Sequence, residues 1–239
     1  MVMTPVRSSM VLQAGAAVVA AFLGASLGPA SAGPSCSASA APGVDWTGCD
    51  KKLIILSDSD LNGATLVDTD FTSTDLRDTN LLAANFEKST LVRASLANSK
   101  ARGARFDRIE AYRTNFSSVD ARGATFASAE VQRSNFTNAV LVDVDFTKAE
   151  LGRADFSGAD ITGTKFALAN LARADLSKAK FSGPIDFAGS FFFLTRIEGL
   201  DLSAATGLQQ WQVDMSCGDG ETKLPSGLSA PSAWPCSFD

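Results

Sequence analysis

From Leu61 to Phe181 an apolar residue returns at every fifth position without a break, through Leu66, Phe71, Leu76, Leu81 and Phe86 to Leu171 and Leu176, twenty-five centres in all. Two residues before each centre stands a small or β-branched side chain, as in Ala64, Thr69, Thr74, Ala84 and Ser89, with Ile109 the one sizeable exception as far as Ala179. The other three places of each five are largely polar. A strand alternates with period 2 and a helix with period 3.6, so neither element explains the pattern. A period of five that buries two places and exposes three predicts a chain that turns a corner every five residues. Four such sides close a coil of twenty, with the centres filling the interior and the small residues set at the tight inner corners. Twenty-five sides make about six coils, and at the ~4.8 Å spacing of neighbouring strands the stack is roughly 30 Å long.

A second period lies over the first. From Phe106 to Phe166 phenylalanine returns every ten residues, which places the rings on two opposite sides of the coil, with Ala101, Ala111, Ala121, Val131 and Leu141 on the sides between. This is large-small complementarity in a dense core. The coil around Ala101 and Ala111 holds the least volume at its centres, so a pinched cross-section or a small cavity is expected between residues 101 and 125, and Ile109 is expected to strain its corner. The phase slips by one residue at Pro184 and resumes at Phe187, Phe192, Ile197 and Leu202 for one further coil. Phe191 and Phe193 flank the centre Phe192 and therefore point outward. The C-terminal tail is expected to cover them; an end-to-end or partner contact is the functional alternative.

Units such as Ala154-Asp155-Phe156-Ser157-Gly158 and Ala174-Asp175-Leu176-Ser177-Lys178 resemble the A-[D/N]-L-x-x consensus of the pentapeptide-repeat family. The resemblance implies an all-β fold, a right-handed quadrilateral β-helix. The run from Gly43 to Asp50, with Trp46 and Cys49, resembles the lead-in of exported members. The stretch from Cys217 to Leu228, with the closing Trp234-Pro235-Cys236, resembles a tail common in bacterial members. Between them Thr206-Gly207-Leu208-Gln209 has capping-box spacing, and Leu208, Trp211 and Met215 follow at helical intervals, so a short C-terminal capping helix ending at Gly218 is expected.

The first residues change the compartment. Arg7 precedes the apolar run Met10 to Leu27, and Ala30-Ser31-Ala32 then fits a signal-peptidase site. The expected organisation is a signal peptide over 1–32, an N-terminal cap over 33–58, the repeat solenoid over 59–202 and a helix-and-tail cap over 203–239, with no membrane span after cleavage and a periplasmic or secreted address. Loss of Arg7 takes the net charge from −5 to −6, too acidic for general phosphate binding, so nucleic acid is not the expected partner. The four cysteines Cys36, Cys49, Cys217 and Cys236 read as disulfides in an exported chain. With the rod lying between the two pairs, only Cys36 with Cys49 and Cys217 with Cys236 come within the ~7 Å Cα separation a bridge allows.

The chain has no histidine, which removes Ser-His and Cys-His nucleophiles and the commonest transition-metal ligand. No phosphate loop is present, no cofactor is implied, and the protein is read as a non-enzyme. The candidate for function is a charge pattern of period twenty: Arg93, Arg113, Arg133, Arg153 and Arg173 stack on one side, and Glu110, Glu130 and Glu150 stand three residues before their arginines. A neutralised ladder that keeps the surface soluble is the structural expectation. The functional one is a surface for an acidic protein or an extended anionic polymer. An exported scaffold or binding module is the expected role. The alternative is a DNA-mimicking protector of gyrase, as in the family's quinolone-resistance members, and a homodimer through an end cap remains open.

Overall fold

The computed structural model describes residues 1–4 and 33–236. The leader read from Arg7, Met10 to Leu27 and Ala30 to Ala32 lies outside the described residues, and the architecture below is that of residues 33–236. Among the described residues no helix is long and apolar enough to cross a membrane.

Each five-residue unit is built by three local devices. The centre turns inward: from Leu61 to Leu176 the centres are fully buried, and Phe181, beside the slip, is partly open. Where Asp or Asn precedes the centre, its carboxylate or amide oxygen typically accepts the amide of the residue after the centre, as in Thr72 to Asp70 at 2.9 Å, Ser117 to Asn115 at 3.0 Å and Ser157 to Asp155 at 2.8 Å; Asp120 instead accepts from the Arg102 and Arg122 side chains. That amide contact, an Asx turn, is the physical reason for the [D/N] of the repeat. The next residue then swings into the left-handed region, at φ 63° for Gly63, 53° for Asp68 and 60° for Asn98. The amide at the corner closes the turn on the preceding centre, as from Ala64 to the Leu61 carbonyl at 3.0 Å.

Most corner residues other than alanine carry a hydroxyl, the aliphatic Ile109, Val119 and Val144 being the exceptions. Thr114, Ser134 and Thr164 are buried and donate to the carbonyls of Leu91, Ala111 and Leu141 in the coil below, at 2.6, 2.6 and 2.9 Å. These buried hydroxyls are satisfied rather than stranded, whereas the buried Ser99 hydroxyl has no partner among the described residues.

The chain meets itself every twenty residues. Parallel bridges run from Asp45 with Thr65 to Asp160 with Lys180, and then the offset becomes twenty-one, Lys165 with Asp186, Asn170 with Phe191 and Asp175 with Arg196. The extra residue is taken up at the exposed Ser182, Gly183 and Pro184, where proline removes a ladder donor. Strand β1 (Ile185–Asp186) pairs in parallel with β2 (Ala205–Thr206), and Asp201 bridges Lys223. The ladder thus begins before residue 59 and ends after 202, running into both segments expected to be caps.

Within the core, phenylalanines form two columns. Phe86, Phe106, Phe126 and Phe146 stack at 5.0, 4.6 and 4.9 Å between successive centroids, and Phe116, Phe136 and Phe156 at 4.9 and 5.1 Å. The columns meet edge to face. Their separation is 6.0 Å at Phe106 and Phe116 and 5.9 Å at Phe126 and Phe136, so the coil at 101–116 shows no pinch between its rings. Ile109 and Val119, both fully buried corner residues, supply volume that Ala101, Ala111 and Ala121 leave unfilled. Ile109 lies between Ser89 and Ala129 of the adjoining coils, and the ladder continues across it, with the Glu110 amide donating to the Ser89 carbonyl at 3.0 Å and the Glu130 amide to the Ile109 carbonyl at 2.8 Å. The corner tolerates isoleucine because its neighbours above and below are small.

Both ends are tied by disulfides, Cys36 to Cys49 with Cα atoms 5.3 Å apart and Cys217 to Cys236 at 5.4 Å. At the first coil Lys51 occupies a centre position. Its Nζ donates to the Cys36 carbonyl at 2.8 Å and lies 3.8 Å from the Trp46 ring centroid, and burial pushes its ammonium below the usual lysine range. At the other end helix α1 (Gln210–Met215) differs from expectation. Its N-cap is Gln209, in a capping box with Gln212, and its C-cap is Ser216. Thr206 instead pairs in β2, and Gly218 serves another need: a Cβ there would come within 2.5 Å of the Trp234 ring. Gln212 is buried and its Nε2 donates to the carbonyls of Phe187 and Ser190 at 2.9 and 3.0 Å. Gln212→Met keeps the volume and strands those two acceptors, so it is expected to cost about 1–3 kcal/mol by urea denaturation.

Candidate protein-interaction surface

One side of the coil stack combines an acid column too long for the Asx turn with an unbroken column of arginines. Its centres are Leu91, Ala111, Val131, Leu151, Leu171 and, after the slip, Phe192. In front of them the bridged column reads Thr90, Glu110, Glu130, Glu150, Asn170 and Phe191. Glu110, Glu130 and Glu150 are one methylene longer than the Asx turn requires, and none makes its hydrogen bond. Two residues behind the centres, at the left-handed position, stand Arg93, Arg113, Arg133, Arg153 and Arg173, with φ between 58° and 61°. On the neighbouring corners the same position is held largely by glycine, asparagine, aspartate and serine, and a residue with a Cβ costs roughly 1–2 kcal/mol there. Long side chains take this position on other sides too, as at Lys88, Arg108, Lys148 and Leu168; what marks this side is that arginine takes it in five successive coils. Arg133→Gly is accordingly expected to raise stability, by up to ~1 kcal/mol in thermal or urea unfolding, while weakening partner binding.

The expected neutralisation of this ladder is absent. All five arginines are exposed, and none has a carboxylate within 4 Å, whereas each of the six other arginines among the described residues is ion-paired: Arg77 with Asp75, Arg102 and Arg122 with Asp120, Arg105 and Arg108 with Glu87, and Arg196 with Asp175. The glutamates are equally without ion pairs; Glu150 only accepts from the Asn170 amide at 2.8 Å. The physical reason is register, since the acid column and the arginine column stand on opposite flanks of the same strand, three residues apart. Like charges one coil apart repel by about 0.8 kcal/mol per neighbouring pair even in bulk water, and among the described residues no ion pair with a ladder arginine offsets this.

Aromatic side chains lie within the column and at its far end. The Tyr112 ring lies 5.2 and 5.9 Å from the guanidinium carbons of Arg113 and Arg133. At the far end Phe191 and Phe193 are each 43% exposed and stacked at 6.3 Å, with Arg173 at 6.0 Å from the Phe193 ring. The tail does not cover this pair: residues 217–223 continue the ladder beside Arg196 and Asp201, and Trp234 is committed to Gly218 and the Ser216 carbonyl. The structure therefore brings the arginines, the glutamates and the two phenylalanines onto one side. Tyr112 was not singled out in the sequence reading; its signal is that it is the single tyrosine, one position before a ladder arginine.

Among the described residues no group of three or more acidic, cysteine or histidine side chains is placed to hold a metal ion. The surface offers charge and aromatic contact.

The family model for pentapeptide repeats matches in eight copies over residues 54–91, 91–126, 122–158 and 149–183, more than half of the chain. The chain belongs to the pentapeptide-repeat family. Its members form right-handed β-helices and are generally non-enzymatic scaffolds. A trypsin-treated variant of QnrB1, a plasmid-mediated fluoroquinolone resistance protein, is 20% identical over 77% of this chain and 84% of its own, with a TM-score of 0.53. HetL, a pentapeptide repeat protein involved in heterocyst differentiation regulation in the cyanobacterium Nostoc, is 18% identical over 78% and 85%, with a TM-score of 0.32. A pentapeptide repeat protein of the Arabidopsis thaliana thylakoid lumen is 32% identical over 48% and 66%, with a TM-score of 0.19. No curated protein sequence matches the chain. At these values the likeness to QnrB1 speaks to the fold alone.

Proposed function

We propose that this pentapeptide-repeat protein is an exported, non-enzymatic binding scaffold, a quadrilateral β-helix closed by a disulfide-tied N-terminal cap and by helix α1 with its tail, which engages an acidic partner through the arginine side. The observation that carries this is the contrast between five unpaired ladder arginines at a costly backbone position and six arginines elsewhere that are all ion-paired. Planar guanidinium forks at a regular spacing favour carboxylate recognition, and the exposed Phe191 and Phe193 add an apolar anchor on the same side. Export is supported by the leader pattern and by two disulfides, which persist in oxidising compartments.

A DNA-mimicking protector of gyrase would need a dominantly acidic rod. Residues 59–202 carry 19 acidic against 17 basic side chains, and the two charged columns of the arginine side hold five arginines and three glutamates. Replacing Arg113, Arg133 and Arg153 together with Gln should leave the melting temperature unchanged or slightly raised and abolish partner capture from periplasm or culture fluid. Capture by the triple variant at the wild-type level would overturn the assignment, and recovery of the protein only from the cytoplasm with free thiols would overturn the export.

A further inference from the structure

We infer that the partner fitted by the arginine side is a second copy of this chain, docked side by side as a parallel dimer. The inference rests on that side being the interaction surface. It starts from the feature that an acidic ligand leaves unexplained: the surface carries two unpaired columns of opposite sign, Glu110, Glu130 and Glu150 along one flank and Arg113, Arg133 and Arg153 along the other. A polyanion laid across the face meets the glutamates as well as the arginines. An extended acidic peptide presents same-face side chains every ~6.7 Å and loses step with a ~4.8 Å ladder within two coils.

A second copy meets both columns. A two-fold axis lying between the faces and parallel to the coil stack exchanges left and right flanks while keeping every coil at its own height. Glu110 of one copy then faces Arg113 of the other, Glu130 faces Arg133, and Glu150 faces Arg153, each pair occurring twice, as an isologous contact requires. The match holds at every coil whatever the pitch, because both ladders are the same ladder. Copies running in opposite directions would set glutamate on glutamate and arginine on arginine, so charge alone selects the parallel arrangement.

The residues along the axis agree with this placement. They are those one position behind the centres: Tyr112 and Gln132 come to face their own symmetry mates, and Gly152 and Ala172 leave room for approach beyond them, a Cβ at Gly152 meeting only the Ala172 carbonyl at 3.6 Å and Gln132 at 4.0 Å. Phe193 lies next to the axis, where it meets its own symmetry mate, and Phe191 faces Leu194. The exposed pair at the C-terminal end of the side is thereby buried by the same operation that pairs the charges, which gives a salt-sensitive ladder with an apolar clasp.

Sedimentation equilibrium of the oxidised protein, as the host makes it, tests this with two charge-reversed triples, Arg113→Glu with Arg133→Glu and Arg153→Glu, and Glu110→Arg with Glu130→Arg and Glu150→Arg. The altered side chains are at the surface, and circular dichroism with melting curves confirms that the coil stack is retained. The wild type is expected to dimerise and to weaken as salt is raised, since the Debye length falls to ~3 Å at 1 M. Each triple alone is expected to lose at least about 100-fold in affinity, and an equimolar mixture of the two to recover a heterodimer. Dimerisation of either triple at the wild-type level, as an end-cap contact would give, or no heterodimer in the mixture, overturns the inference. A monomeric wild type also overturns it; if that monomer binds poly-L-glutamate through the ladder arginines, the interaction surface survives alone, and if it does not, both fall.

Discussion

Phe126→Ala is expected to destabilise the protein by about 3–5 kcal/mol, the largest effect of any single side chain in the repeat. Phe126 stacks on Phe106 at 4.6 Å and Phe146 at 4.9 Å and meets Phe116 and Phe136 edge to face at 5.6 and 5.9 Å. Ring contacts of this kind add about 0.5–1.5 kcal/mol to burial alone. The cavity left behind cannot collapse, because the coils on either side are held by ladder bonds of 2.7 Å from Phe106 to Thr125 and from Phe126 to Asp145. Phe181→Ala supplies the control. That ring is partly exposed beside the slip, so its loss is expected to cost less than half as much in urea denaturation. Equal costs at the two positions would mean that the stacked columns add nothing to the core.

Reduction of the two disulfides is expected to remove about 3 kcal/mol apiece, from loops of 13 and 19 residues, and the loss should be felt first at the ends. In a solenoid each coil contacts only its neighbours, so end coils open independently of the middle. Cys36 fixes the carbonyl that holds Lys51 over Trp46, and Cys217 bridges Arg196 and donates to the Thr195 carbonyl at 2.8 Å. Hydrogen exchange in reductant should therefore quicken between residues 46 and 56 and between 197 and 223, with amides between 101 and 161 unchanged. Uniform loss of protection would show the bridges acting on one cooperative unit instead.

Much of the fold is legible in the residues because burial in a coil of twenty imposes a period that no helix or strand shares. The centres from Leu61 to Leu176, the opposed phenylalanine columns, the disulfide pairing and the slip at Pro184 all follow from that period. The extent of the ladder does not, since Lys51 at a centre position and the pairing of Asp201 with Lys223 hide its ends in segments without the repeat. The helix bounds were missed because Gln209 is not a common N-cap residue, and the role of Gly218 depends on Trp234, sixteen residues away. The arginine column was visible through its twenty-residue recurrence. Its lack of ion pairs was not, because whether a glutamate three residues away can reach an arginine depends on which flank of the strand each occupies. The exposure of Phe191 and Phe193 was hidden for a similar reason: it turns on the path of the tail, which no local pattern encodes.

The central claim is that the arginine side is where this protein meets its partner, and arginine-directed labelling with phenylglyoxal, read by peptide mass spectrometry, tests it most directly. The oxidised protein is labelled at low concentration, at high concentration, and with extract from the compartment where it is found. Arg93, Arg113, Arg133, Arg153 and Arg173 should be protected together under at least one of the latter two conditions, while the labelling of Arg77, Arg102 and Arg122 stays as it is in the dilute protein. Protection that spares the five ladder arginines, or falls mainly on the ion-paired ones, would contradict the account.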